Sequence, residues 1–131
     1  MDLPAPFQAA CERWDLSPTD HCLHVNVAKQ SLTHFYDHSQ ITLVVSTAVR
    51  GTGQKINSHK TPLGLHLIAE KIGENEPSGV VFKERKVIAT NGKGNPNALI
   101  TDRILWLDGL EPNYNRGGDV DSHHRYIYIH G

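Results

Sequence analysis

The sequence predicts a mainly β domain of packed sheets, or a barrel-like sandwich, with a short N-terminal helix. Its 131 residues match the usual size of one domain. The 11 glycines and 7 prolines favour many turns between short elements over a helical bundle. After residue 22 the apolar side chains Leu23, Val25 and Val27 fall at every second position, which is the period of a strand.

The first 21 residues are predicted to form a helix and a lead-in to the sheets. Four apolar residues share one helix face at the spacing i, i+3, i+4 and i+7: Phe7, Ala10, Cys11 and Trp14. This spacing predicts a helix over residues 6–15. We expect it to end before Pro18, since the residue preceding a proline disfavours helical geometry.

Residues 22–131 are predicted to form strands joined by polar loops. The first three strands read as an antiparallel meander, at about residues 22–28, 32–36 and 41–49. The third is the most continuously apolar, so we expect it to be central. Further strands are predicted at residues 65–72, 80–82, 86–90 and 99–107, with loops at 50–60, 91–97 and 111–122. The length of the last loop is typical of a binding loop or lid.

The clearest chemical pattern lies in the predicted last strand, residues 123–131. Ile127 and Ile129 share one face, which we expect in the core. The other face carries His124, Tyr126, Tyr128 and His130. An imidazole beside two phenols suits proton transfer near neutral pH. A solvent-facing strand with scattered histidines is the alternative that composition leaves open.

Composition argues against several classes of function. Lys plus Arg total 13 and Asp plus Glu 14, a net charge of -1 that does not favour nucleic acid. No apolar run is long enough to predict a membrane span. The histidines and glycine-rich turns lack metal-ligand and phosphate-loop spacing, so we predict no metal and no cofactor. Cys11 and Cys22 are interpreted as partly buried thiols, with a disulfide left open.

Four segments occur in the order found in one enzyme family. They are His24-Val25-Asn26-Val27 with Gln30, Leu32 and Tyr36 after it, Val45-Ser46-Thr47, Thr61-Pro62-Leu63-Gly64, and the run from Arg125 to His130-Gly131. Together they resemble the L,D-transpeptidase catalytic domain (YkuD-type) of bacterial peptidoglycan enzymes. The resemblance covers about residues 22–131, which we take as the catalytic domain.

This resemblance implies a mainly β fold and a cysteine acyltransferase that acts on peptidoglycan stem peptides. It makes His130 the base and Gly131 the source of the carbonyl that orients its ring. We expect Tyr126 and Tyr128 to line the substrate cleft. An L,D-carboxypeptidase and a noncatalytic cell-wall peptide binding module are the alternatives. The resemblance implies a periplasmic or cell-envelope location, although residues 1–21 do not resemble a signal peptide. The oligomeric state is left open.

One departure from the family pattern concerns the nucleophile. The family's Cys lies in a Ser/Thr-His-Gly-Cys motif downstream of His-Gly, and this sequence ends at Gly131. Neither Cys11 nor Cys22 matches that motif. We therefore expect a cleaved or truncated chain, rather than natural loss of the active site. We also predict that these 131 residues alone have no transpeptidase activity.

Overall fold

The computed structural model describes residues 2–96 and 98–131, and most of its regular structure is strand. Nine strands in this part of the chain form three antiparallel sheets of three strands each. This confirms the mainly β prediction with one short helix, and none of the three sheets closes into a barrel. The chain divides into two compact units, Met1–Leu65 and His66–Gly131. The boundary at residue 22 between lead-in and catalytic domain stays a prediction.

The helix α1, Ala5–Arg13, lies close to its predicted range. Cys11 on its inner face is buried, whereas Trp14 at its end is exposed, contrary to the predicted stripe. The helix ends early because Asp15 adopts a positive φ of 53°. The Leu16 N–H then donates to the Cys11 carbonyl at 2.9 Å, which closes the last turn.

The first unit contains the predicted meander. Its strands are β1 (Cys22–Asn26), β2 (Ser31–Tyr36) and β3 (Ser39–Val44), in the sheet order β1-β2-β3. Leu3 and Phe7 pack with Cys22 and Phe35, so the lead-in shares a core with β1 and β2.

The prediction that the third strand is central is wrong. Strands joined by short turns pair in chain order, so β2 takes the middle and β3 the edge, with all six of its residues exposed. The strand is also shorter than predicted. After Val44 the chain forms hydrogen bonds with the Gln30 side chain instead of continuing the sheet. The Gln30 amide oxygen accepts from the Thr47 N–H at 2.9 Å, and its amide nitrogen donates to the Thr47 hydroxyl at 2.8 Å.

The second unit holds the other two sheets. Its strands are β4 (His66–Ile72), β5 (Val81–Lys83), β6 (Lys86–Ala89), β7 (Ile100–Thr101), β8 (Ile104–Gly109) and β9 (Tyr128–His130). The sheet orders are β4-β8-β9 and β6-β5-β7. Val80, Phe82 and Ile104 form the buried core, and Tyr128 packs against it. Position 97 of the predicted loop over residues 91–97 lies outside the described residues.

The predicted single strand over residues 99–107 is in fact two strands of different sheets. Asp102 adopts a φ of 65°, and the Arg103 N–H donates to the Thr101 carbonyl at 2.8 Å. An i→i+2 hydrogen bond across a residue with positive φ is a tight, strained γ-turn. It separates β7 from β8 at the polar residues Thr101-Asp102-Arg103, where the sequence has no glycine or proline.

The predicted final strand is shorter than residues 123–131. Residues 122–126 form turns, in which the Arg125 N–H donates to the Asp121 carbonyl and Tyr126 has a φ of 57°. The clean alternation of faces is therefore wrong before Tyr128. Ile127 and Ile129 are half-buried rather than buried, and the Tyr128 ring is the one that reaches the core cluster.

The loop at 111–122 is largely exposed but is anchored by a few buried residues. Asn115 and Ser122 are both fully buried. The Asn115 side-chain oxygen accepts from the Glu111 N–H at 2.9 Å. A Cβ at Gly109 would clash with the Asn115 carbonyl oxygen. The end of β8 can therefore approach the loop this closely only with glycine at position 109. No helix in residues 2–96 and 98–131 is long and apolar enough to cross a membrane.

Candidate functional site

His130 ends β9 with an exposed side chain. Its Nδ1 lies 2.7 Å from the carbonyl oxygen of Gly131. A carbonyl only accepts hydrogen bonds, so Nδ1 must carry the proton. In the neutral ring Nε2 then keeps its lone pair, and that nitrogen has no hydrogen-bond partner in the described part of the chain. The Gly131 carbonyl therefore fixes both the orientation and the tautomer of the His130 ring.

The Gly131 carbonyl is itself held by the end of β7. The Thr101 N–H donates to the Gly131 oxygen at 3.2 Å, and the Gly131 N–H donates to the Thr101 oxygen at 3.1 Å. A Cβ at position 131 would lie 2.5 Å from Asp102 Oδ2 and 2.8 Å from the Thr101 carbonyl oxygen. The position therefore requires glycine, because a larger residue would displace the carbonyl that holds His130.

Tyr126 and Tyr128 both contact the guanidinium of Arg85, a residue that the sequence analysis did not single out. The Arg85 Nη1 donates to the Tyr128 phenol oxygen at 3.0 Å, and this bond raises the pKa of Arg85. The Arg85 Cζ also lies 5.0 Å from the ring centres of both Trp106 and Tyr126, which is cation–π distance. Neither tyrosine ring contacts the His130 imidazole in the described residues. The structure brings the two tyrosines together without joining them to the histidine.

The sequence was compared with known protein families, curated proteins and solved structures. A family model, the YkuD L,D-transpeptidase catalytic domain, matches residues 20–131, which is most of the chain. The chain belongs to the L,D-transpeptidase catalytic domain family. No curated protein and no solved structure matches it. The family carries L,D-transpeptidase-type activity related to peptidoglycan and is typical of the cell envelope. The resemblance predicted from the four segments is confirmed, and the match begins two residues before residue 22.

Arg85 and Trp106 are residues of this L,D-transpeptidase domain that sequence reasoning missed. Arg85 lies in the two-residue turn between β5 and β6, where it and Glu84 adopt φ values of 65° and 50°. Such a turn favours asparagine and glycine, so a Glu-Arg pair does not predict it. Trp106 pairs with Tyr128 across β8 and β9, and a correct strand register would have placed them together.

Cys11, which precedes the matched residues 20–131, and Cys22 within them are both buried free thiols, in agreement with the predicted burial. The Cys22 thiol donates to the Thr19 carbonyl at 3.2 Å. Burial raises the pKa of Cys11, and the neighbouring Cys22 raises it further. A raised pKa lowers the fraction of thiolate, which is the nucleophilic form. The Cys11 thiol is thus poorly suited to attack a peptide carbonyl, and Cys22 is buried as well.

Other histidines of the second unit have different surroundings. His66 Nε2 lies 2.7 Å from the hydroxyl of the fully buried Ser122. His124 Nδ1 lies 3.7 Å from Asp121 Oδ1. Burial raises the pKa of Asp121, but hydrogen bonds from the His124 and Gly117 N–H groups outweigh it and the net shift is downward. Within the described residues no group of three or more His, Cys, Asp or Glu side chains is placed to hold a metal ion.

Proposed function

We propose that this domain provides the base of a cysteine acyltransferase acting on peptidoglycan stem peptides. The observation that carries the proposal is the 2.7 Å bond between His130 Nδ1 and the Gly131 carbonyl oxygen. It places the proton on Nδ1, so that Nε2 is able to accept the proton of an attacking thiol. The Gly131 carbonyl then faces the imidazolium that forms, which stabilises its charge.

The chemistry follows from that proton transfer. The thiol S–H bond breaks toward His130 Nε2, and the sulfur bonds to the carbonyl carbon of the stem peptide. The peptide C–N bond breaks next, and the leaving amine takes the proton back from the imidazolium. The resulting thioester passes its acyl group to an acceptor amine, which is transfer, or to water, which is hydrolysis.

We place the attacking thiol on a cysteine outside residues 1–131. Cys11 and Cys22 are both buried, and the raised pKa of Cys11 opposes thiolate formation. The family's motif order supports a cysteine downstream of the His-Gly strand. On this proposal residues 1–131 are inactive by themselves, and the activity belongs to the cell envelope.

Tyr126 and Tyr128 are proposed to line the stem-peptide cleft in unequal ways. The Tyr126 side chain is open to solvent, with 57% of the residue exposed, so it is the better placed to contact a substrate. The Tyr128 phenol is engaged by Arg85 and its ring packs on the core. Tyr128 therefore acts mainly by fixing Arg85 beside Tyr126.

The activity proposal is tested by acylation with a carbapenem or a stem tetrapeptide, followed by intact mass measurement. We expect no adduct on the 131-residue chain. In a longer form that carries the downstream cysteine, His130→Ala should lower the acylation rate by ~10²–10⁴, the usual contribution of a positioned base. His59→Ala, an exposed histidine of the first unit, is the matched control and should leave the rate unchanged.

Two outcomes would contradict the proposal. An adduct on Cys11 or Cys22 that disappears in His130→Ala would place the nucleophile within this chain. Tetrapeptide binding by the longer form without any acylation would instead favour a noncatalytic binding module. Product analysis then separates transfer from hydrolysis, which distinguishes an L,D-transpeptidase from an L,D-carboxypeptidase.

A further inference from the structure

Asp102 lies in the γ-turn between β7 and β8 and gathers three hydrogen bonds on its carboxylate. Oδ1 accepts from the Gly79 N–H at 2.6 Å and from the Ser78 hydroxyl at 3.0 Å. Oδ2 accepts from the Thr101 hydroxyl at 2.9 Å. A non-glycine residue at positive φ is destabilising by itself, so these bonds stabilise a backbone that the residue type disfavours.

The carboxylate is in direct reach of the backbone that orients His130. Thr101, whose hydroxyl Asp102 holds, exchanges both of its backbone hydrogen bonds with Gly131. Asp102 Oδ2 also lies where a side chain at position 131 would begin, 2.5 Å from an ideal Cβ. The Gly131 carbonyl oxygen therefore accepts two hydrogen bonds, one from the Thr101 N–H and one from the His130 Nδ1–H.

We propose that Asp102 is a positioning residue for His130, acting through Thr101 and the Gly131 carbonyl to hold the imidazole with its proton on Nδ1. This rests on the proposed role of His130 as base. Asp102 does not touch the imidazole or a substrate in this arrangement. It fixes the turn that sets the position of the carbonyl, and the carbonyl selects the tautomer.

The three hydrogen-bond donors explain why a carboxylate suits position 102. An N–H group and two hydroxyls converge on Asp102, and a carboxylate is an acceptor at both oxygens. The same three bonds lower the pKa of Asp102, with the Gly79 N–H making the largest contribution. An asparagine would keep the shape and tolerate positive φ, but its NH₂ would face one of the donors.

The proposal is tested in the full chain, labelled with ¹⁵N, by two-bond ¹H–¹⁵N correlation of the His130 ring. In Asp102→Ala we expect the share of the Nδ1–H tautomer to fall by about twofold or more, toward the value of the exposed His59. Thr101→Val, which removes only the hydroxyl link, should give a smaller change in the same direction. Asp121→Asn is the matched control, since that carboxylate accepts backbone N–H bonds from Gly117 and His124 instead.

The outcomes separate the two proposals. A folded Asp102→Ala protein with an unchanged His130 tautomer would overturn the positioning role. If Asp102→Ala does not fold, unchanged His130 tautomers in both Thr101→Val and Asp102→Asn would overturn it instead. If the tautomer shifts as expected but His130→Ala in the longer form acylates at the normal rate, the positioning role stands and the catalytic proposal fails.

Discussion

Two histidines of the second unit make equally short hydrogen bonds, 2.7 Å each, and yet differ in what they can do. His66 faces the hydroxyl of Ser122, which is fully buried. A hydroxyl both donates and accepts, so it is compatible with either tautomer of the ring. His130 faces the Gly131 carbonyl, which only accepts, and its side chain is exposed. The acceptor-only partner and the exposure of His130 support its proposed role as a base, whereas the interior hydroxyl beside His66 supports a structural contact.

The packing beneath His130 gives the largest expected effect. Ile104 is the cross-strand partner of His130 and is fully buried in the core cluster. Ile104→Ala should lower the free energy of unfolding by ~2–5 kcal/mol, because it leaves a cavity under β9. Ile127→Ala is the matched control, and since Ile127 is half-buried it should cost less, about 1 kcal/mol. Urea denaturation measures both free energies of unfolding. Equal losses in the two variants would contradict the prediction that the packing of β9 depends mainly on Ile104.

The buried histidine contact should have an intermediate effect. Ser122→Ala removes the hydroxyl that lies against His66 Nε2 and should lower the free energy of unfolding by ~1–3 kcal/mol. The His130 tautomer should not change, because that ring depends on the Gly131 carbonyl. Ser39→Ala on the exposed edge strand serves as the control. A His130 tautomer that changes in Ser122→Ala would break the distinction between the two histidines.

The acid dependence of Asp102 should be the smallest effect. Hydrogen bonds from Gly79, Thr101 and Ser78 hold its folded pKa below the unfolded value of ~3.9. Its stabilisation is therefore fully present above that value and is lost as pH falls through the folded pKa. The difference in unfolding free energy between wild type and Asp102→Asn should shrink between about pH 6 and about pH 3. Urea denaturation across that range measures the difference, and a constant difference would contradict the prediction.

Much of the first unit could be predicted from sequence, because its elements follow local rules. The position of the helix, the meander and the buried thiols all follow from the spacing of apolar residues, although Trp14 of the predicted helix face is exposed. The exception is the placement of β3, since an apolar strand need not be a central one. Strand order followed the short turns instead.

Of the candidate site, only His130-Gly131 and the two tyrosines were proposed from sequence. Asp102 beside Gly131, and Tyr126 and Arg85 in their separate contact, lie in turns with positive φ at non-glycine positions. Sequence rules look for glycine or asparagine there, because the strain of other residues is offset by tertiary contacts that no local pattern shows. The interruption of the apolar run by Thr101-Asp102-Arg103 is the one hint that the strand divides.

The tautomer of His130 in the unmodified chain tests the central claim most directly. A two-bond ¹H–¹⁵N correlation spectrum at about pH 8, where histidine is neutral, identifies which ring nitrogen carries the proton. If the Gly131 carbonyl orients the ring, His130 should be the Nδ1–H tautomer, with Nε2 unprotonated and able to act as a base. A His130 that is Nε2–H, or that averages freely between both forms as an exposed histidine does, would contradict the account.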